Sequence, residues 1–438
     1  MSAATSDSAE GRTAASPAGS VTAPSAASER PRFLRTFESL GDANYRWFFG
    51  AMVAGFTGLS MQTFVAGWLT YELTGSFAAL GFMSLANGLS NIVFSNIGGV
   101  MADRVARKQS LVQTGQVMSA VTAFVMVVII AAGWLHFWHV VAAAMLLSGA
   151  HILTMPARQS LTPDVAGMHR LQNAAALYTF GQNTATLLMP ATAGFILGAA
   201  GGDAPAAKYV YAIICGVQFG AALLLGRVRV PPREVSGARR AILGELIAGL
   251  RYVRHHPQIR LILGFHIFAA MFVATYMSLL PGFAKEVLGV GASRLGLLQA
   301  MLGLGAISGA LIVGSLPPRR RGTVLLVAVV WLGGALAVMS LITSYTLALP
   351  AAVLIGMGQT GYLTMCPVLL QTYVDPEFRG RVLSIYLMQF GLWSIGIFGI
   401  GLLANAAGPQ TAMRVSAVLL AGGALTMLAF VRSFREID

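Results

Sequence analysis

The sequence predicts an all-α polytopic membrane protein: twelve transmembrane helices in two pseudo-symmetric six-helix bundles, with both termini cytoplasmic. Three observations predict it. The chain is 56% hydrophobic and 10% charged, against about 25% charged residues in a soluble domain. Apolar segments long enough for a ~30 Å hydrocarbon core recur twelve times along the 438 residues. The second half repeats landmarks of the first at fixed offsets.

Residues 1–30 are rich in Ala, Ser, Thr, Gly and Pro. They lack the apolar core of a signal peptide and read as a disordered cytoplasmic tail. Spans at 47–71, 76–98, 110–132, 138–157, 171–199 and 207–227 build an N-terminal bundle over 31–227. The linker, 228–260, carries a candidate amphipathic helix from Arg239 to Arg254, with Ile242, Leu246 and Leu250 on one face. Such a helix lies along a membrane surface. Spans at 261–284, 293–316, 323–343, 346–370, 381–404 and 411–431 build a C-terminal bundle over 261–432, followed by a short tail, 433–438. Fifty glycines suit helices that approach closely in lipid. Cys215 and Cys366 both fall inside apolar segments and read as core residues.

Charge sets the orientation. Of the 29 Lys and Arg residues, all but Lys208, Lys285, Arg294 and Arg414 fall on one side of this arrangement. That side is cytoplasmic by the positive-inside rule. The net charge of +13 is then topology plus attraction to anionic lipid at the cytoplasmic face, and nucleic acid is excluded as a partner.

The repeats are specific. Pro156 is followed by Asp164 at +8 and Arg170 at +14, and Pro367 by Asp375 and Arg381 at the same spacings. Glu72, Gly75 and Gly81 are echoed by Glu286, Gly289 and Gly296 with one inserted residue. Parallel halves of this kind are an architecture of alternating-access carriers, with the substrate near the midplane between them.

Between the second and third spans lies Gly99-Val100-Met101-Ala102-Asp103-Arg104-Val105-Ala106-Arg107-Lys108. A tight basic hairpin explains Arg104, Arg107 and Lys108 as topology anchors, but not Asp103, an interfacial carboxylate that needs a partner. The stretch resembles the loop signature of the major facilitator superfamily, G-x-x-x-D-[RK]-x-G-x-[RK]-[RK], departing from it at Ala106. Trp68 to Ser76, Pro156-Ala157-Arg158-Gln159, Leu250 to Pro257 and Arg379-Gly380-Arg381-Val382 resemble the branch that holds the bacterial enterobactin exporter and macrolide-efflux proteins. Met189-Pro190-Ala191-Thr192-Ala193-Gly194 is similar to a degraded form of that superfamily's antiporter motif. The resemblance covers 32–432 and implies a conformational switch in which Asp103 meets the start of span 11, where Arg379 and Arg381 and the free N–H groups of a helix terminus favour an anion. Gly99, Asp103, Arg104, Arg107, Lys108, Arg158, Asp164, Asp375, Arg379 and Arg381 are therefore the expected gating set.

Polar stripes mark the expected cavity. Ser84, Asn87, Asn91 and Ser95 share an arc of about 80° on span 2, and Thr179, Gln182, Asn183 and Thr186 a similar arc on span 5. Amides in lipid must be paired or wetted, so each stripe either bonds another helix or lines a cavity. Gln62, Tyr276, Gln359, Gln389 and Trp393 are single candidates for the same cavity. No acidic residue lies near the middle of a span. Glu72 and Glu286 sit at the exofacial ends of spans 1 and 7, either as interface groups or as a proton-accessible gate. His151 and His266 lie in the cytoplasmic halves of spans 4 and 7 as neutral hydrogen-bonded groups or as coupling sites, since histidine titrates near physiological pH. His136-Phe137-Trp138-His139 lies in an exofacial turn among aromatic-belt residues, and no metal or other cofactor is expected.

Together these features point to a monomeric carrier, not an enzyme, exporting a small organic substrate across the bacterial inner membrane; the resemblance implies exchange for protons. Scattered amides in apolar walls suit an amphipathic, weakly charged or neutral compound. Uptake of a small metabolite such as a vitamin is the same-class alternative. A non-transporting sensor is the alternative from another class.

Overall fold

The apolar segments fold as helices because a chain in hydrocarbon must satisfy its backbone internally. The structure, a computed structural model, describes residues 38–105, 107–167, 170–230, 242–317, 319–431 and 434, without the side chains at 38, 95–100, 102–104, 242–247 and 390. The first half contains α1 (Ala43–Thr74), α2 (Phe77–Arg104), α3 (Lys108–Ala131), α4 (Phe137–Ala166), α5 (Leu171–Ala199) and α6 (Ala207–Gly226). A linker helix, α7 (Ile242–His255), follows. The second half contains α8 (Pro257–Val273), α9 (Thr275–Glu286), α10 (Ala292–Ser315), α11 (Arg321–Leu341), α12 (Tyr345–Tyr373), α13 (Arg379–Leu387), α14 (Gln389–Ala407) and α15 (Pro409–Phe430).

Local chemistry sets the boundaries. The Asp42 side chain accepts from the Asn44 N–H at the start of α1, and Gly75 closes the helix at φ 59°, a conformation glycine adopts without a Cβ clash. Ser76 caps α2 through the Ala79 N–H. His136 and His139 form a capping box at the start of α4, so a local backbone role occupies both rings. Two expected spans are each built from two helices. The seventh breaks at Ala274, where Thr275 Oγ1 donates to the Phe272 carbonyl at 2.9 Å. The eleventh breaks at Met388. The fourth runs past its expected end at 157 to Ala166, through Pro156 and Pro163, because neighbouring helices and side chains relieve proline in membrane helices.

Among the described residues, eleven helical segments are long and apolar enough to cross a membrane. The expected fifth span folds as a continuous 29-residue helix, α5, but is not among these eleven. Its stripe of Gln and Asn residues lowers its hydropathy. In the first half α1 packs on α4, α5 and α6, α2 on α4, and α3 on α4 and α6. In the second, α10 packs on α12, α11 on α12 and α15, and α14 on α8 and α15. The halves meet along α2–α14 and α5–α10. One end of the molecule carries Arg107, Lys108, Arg227, Arg229, Arg319, Arg379 and Arg381 and is called the basic end below; the other carries Glu72 and Glu286 and is called the acidic end.

Candidate functional site

Toward the acidic end the halves are sealed by small residues. A Cβ on Gly194 of α5 would lie 2.5 Å from the Ala292 carbonyl oxygen, and one on Gly296 of α10 would lie 2.6 Å from the Pro190 carbonyl oxygen. On the other seam, a Cβ on Gly81 would meet the Phe398 backbone at 3.0 Å, and one on Gly401 the Phe77 oxygen at 2.7 Å. Ser293 Oγ donates to the Gly194 carbonyl at 3.1 Å, and Ser76 Oγ to Asn405 Oδ1 at 3.1 Å.

A reciprocal polar pair completes the seal. Lys285 Nζ lies 2.7 Å from Glu72 Oε2, and the Tyr71 hydroxyl donates to Glu286 Oε1. Under the internal repeat Glu72 corresponds to Glu286, and so Tyr71 to Lys285. Each half therefore contributes one donor and one acceptor, the self-complementary pattern of a two-fold interface. A carboxylate at a helix C-terminus opposes the dipole, and here each has a donor from the opposite half. Trp68, Glu72, Lys285, Pro281 and Leu295 line a vestibule of about 290 Å³ outside this seal. Tyr71 and Lys285 were invisible to sequence reasoning as partners; their repeat-related positions beside the two glutamates were the available signal.

Toward the basic end the α5–α10 seam opens among the described residues. Leu187 against Gly303, with Cδ1 2.6 Å from the added Cβ, is the last close α5–α10 approach of this type. Beyond it Gln182, Asn183 and Thr179 are exposed. Helix α5 exposes two chemically different faces. Phe180, Leu188 and Phe195 are 62%, 48% and 69% exposed on one face; Thr179, Gln182, Asn183 and Thr186 lie on the other. The first face suits lipid, and the second suits a wetted cleft. Helix α2 repeats the division: Phe82, Leu89 and Val93 are exposed apolar groups, whereas Asn87 and Asn91 lie half-buried on the other side. Asn87 Oδ1 accepts from Ser148 Oγ at 3.3 Å, an interhelical bond.

The remaining expected cavity residues divide between the interiors of the two halves. Gln62 and His151 line a small cavity inside the first half, with Ser119, Arg158 and Gln218. In the second half Tyr276 donates to Gln359 Oε1 at 2.6 Å. His266 is enclosed: its Nδ1 meets the Tyr362 hydroxyl at 2.6 Å and Cys366 Sγ at 3.2 Å, and its ring stacks with Tyr386 at 4.6 Å. Gln389 is buried, and Trp393 is half-buried on α14.

The expected gating set is only partly on view. The hairpin forms, with α2 ending at Arg104 and α3 starting at Lys108, and Arg107 is exposed. Gly99 lies within α2, and the side chains of Asp103 and Arg104 lie outside the described residues. Arg158 and Asp164 are not paired with each other among the described residues. Because α4 continues, Arg158 lies within the helix, 3% exposed, and donates through Nε to Thr154 Oγ1 at 3.2 Å, whereas Asp164 is exposed. Asp375 accepts from the Tyr252 hydroxyl at 2.9 Å, and Phe378 stacks on the Tyr252 ring at 4.2 Å. The linker helix α7 is thus docked on α13, next to Arg381, whose guanidinium lies 5.0 Å from the Phe378 ring centroid. Leu250 is 51% exposed on that helix, while the side chains of Ile242 and Leu246 lie outside the described residues.

The family described as "Transmembrane secretion effector" matches residues 35–438. The MFS-type transporter y4rN of Sinorhizobium fredii is 27% identical over 382 residues, covering 84% of this chain and 85% of that protein. Among solved structures, the nucleoside transporter NupG aligns with a TM-score of 0.72 at 13% identity, covering 89% of this chain and all of that one. The D-xylose–proton symporter aligns with a TM-score of 0.63 at 15% identity, covering 92% of this chain and 99% of that one. With a family match over nearly the whole chain and the same fold in both structures, the chain is a multi-pass membrane transporter of the major facilitator type and belongs to the transmembrane secretion effector family.

Proposed function

We propose that this chain exports a small amphipathic organic compound from the bacterial cytoplasm by alternating access, in exchange for protons. The observation that carries the reading is an asymmetry between the two ends: a seal at the acidic end through Tyr71–Glu286 and Lys285–Glu72, and exposed Gln182 and Asn183 on α5 toward the basic end. The basic end is cytoplasmic by the positive-inside rule, so this is the inward-open half of the cycle, ready to load from the cytoplasm. Helix α5 is the remaining span of a twelve-helix set, its polar stripe turned to the cleft, and both termini are cytoplasmic. The protein works as a monomer in the inner membrane, with anionic lipid against its basic end.

In this cycle the Tyr71–Glu286 and Lys285–Glu72 contacts break when the acidic end opens, and Asp103 latches against the N-terminus of α13 when the basic end closes. Glu72 and Glu286 lose their partners on opening, which makes them, with His151 and His266, the groups from which proton exchange is drawn. The name of the family, with its reference to secretion, supports the outward direction. The test is accumulation of a panel of siderophores, antibiotics and vitamins in cells with and without the gene. Export predicts lower accumulation of at least one compound, rising to the gene-free level with a protonophore. Higher accumulation means uptake and overturns the direction; lower accumulation that ignores the protonophore overturns the coupling.

A further inference from the structure

The first half contains a buried cation with no counter-charge among the described residues. Arg158 is 3% exposed, its guanidinium is charged at any physiological pH, and among the described residues no Asp or Glu pairs with it. Its Nη1 has no hydrogen-bond partner. Leaving one buried charge uncompensated is strongly unfavourable, and intramembrane ionisable residues mark functional sites by default.

The groups around it are glutamine amides with unpartnered side-chain atoms. Gln62, Gln116 and Gln218 are 3%, 1% and 5% exposed, and each has at least one side-chain amide atom without a partner. Amide nitrogen and oxygen exchange by a flip, so all three can turn an N–H inward. Gln116 Nε2 and Arg158 Nη1 both lie over Gly55, 2.6 Å and 3.2 Å from where its Cβ would be, close enough to share one acceptor. His151 and Tyr178 lie within electrostatic reach of the guanidinium. The space lined by Gln62, Ser119, His151, Arg158 and Gln218 is about 10 Å³, room for one water-sized occupant.

The fold does not require the arginine. The offset of 211 that relates Pro156 to Pro367 and Asp164 to Asp375 places Leu369 opposite Arg158, and Leu369 is fully buried. The second half thus packs with an apolar group at the corresponding position. A water in the cavity would leave the charge uncompensated; an anion of similar size would not.

We propose that the first half holds a monatomic halide, chloride in the cell, between Arg158 and the glutamine amides of α1, α3 and α6. The site is independent of the direction of transport. Its test is thermal unfolding of the purified full chain in detergent, at constant ionic strength, in sodium chloride, sodium bromide or sodium gluconate. Occupancy predicts a saturable rise in Tm of roughly 2–4 °C in chloride and bromide over gluconate. Arg158→Gln should lose that difference. If this variant does not fold, Gln116→Leu, which removes a donor and keeps the charge, should shift the halide titration to higher concentration. Equal Tm in all three salts, or the same halide dependence in the folded variants as in the parent, would overturn the site and leave a water in the cavity.

Discussion

Gly296→Val should disable closure of the acidic end while leaving both halves folded. The added Cβ would lie 2.6 Å from the Pro190 carbonyl oxygen and 3.0 Å from Ala191 Cα. Both are backbone atoms of α5, so no side chain can swing aside and the helices must separate. Overpacking of this kind costs about 1–3 kcal/mol. The clash exists only when the halves meet, so the cost falls on one conformation and shifts the equilibrium away from it by roughly 5- to 150-fold. A cysteine introduced as Ala292→Cys reports the shift. Ala292 is 2% exposed in the sealed seam. In a background with Cys215 and Cys366 replaced by alanine, a membrane-impermeant maleimide added from outside should label this cysteine faster by that factor when Gly296→Val is present. Unchanged labelling would mean that the α5–α10 seam does not open.

Gly305→Leu should act differently, on folding itself. Gly305 and Gly309 of α10 face α12 within the second half. A Cβ on Gly305 would lie 2.0 Å from the Val353 oxygen, one on Gly309 2.6 Å from the Met357 oxygen, and one on Gly356 of α12 2.0 Å from the Leu302 oxygen. Small residues spaced in this way let two membrane helices approach to backbone contact, and this contact lies within one half, not between the two. A leucine there costs roughly 3 kcal/mol, which lowers Tm by about 6–12 °C. Gly334→Leu is the control, since nothing lies within 4 Å of its added Cβ. Equal Tm for the two variants would place the stabilising contact elsewhere.

Hydropathy located the helices, and charge separated the two ends, because both are sums over many residues. The boundaries that moved were those where one residue decides. Pro156 stops a soluble helix but not α4, and Arg158 lies buried within the continued helix. The repeat located Glu72 and Glu286 as related positions, yet their partners come from the opposite half, 213 and 215 residues away. A pairing of that kind depends on how the bundles meet, and no local pattern encodes it. Tyr252 was missed for the same reason. Its position on an amphipathic linker suggested a membrane surface, while its hydroxyl and ring dock on Asp375 and Phe378. The polar arc of α5 was legible as a stripe, but the same residues that marked it made this helix less apolar than its neighbours.

If transport requires the halves to separate at the acidic end, locking them together there must stop it. A Cβ on Gly198 would lie 3.2 Å from Ser293 Cβ across the seam, a few tenths of an ångström short of the ~3.5–4.5 Å range that a disulfide spans. In the same background without Cys215 and Cys366, the double variant Gly198→Cys, Ser293→Cys should cross-link on oxidation. Cells carrying it should then accumulate an exported compound to the level of cells lacking the gene, and a reductant should restore the lower level. Full export with the cross-link complete would contradict alternating access through this seam.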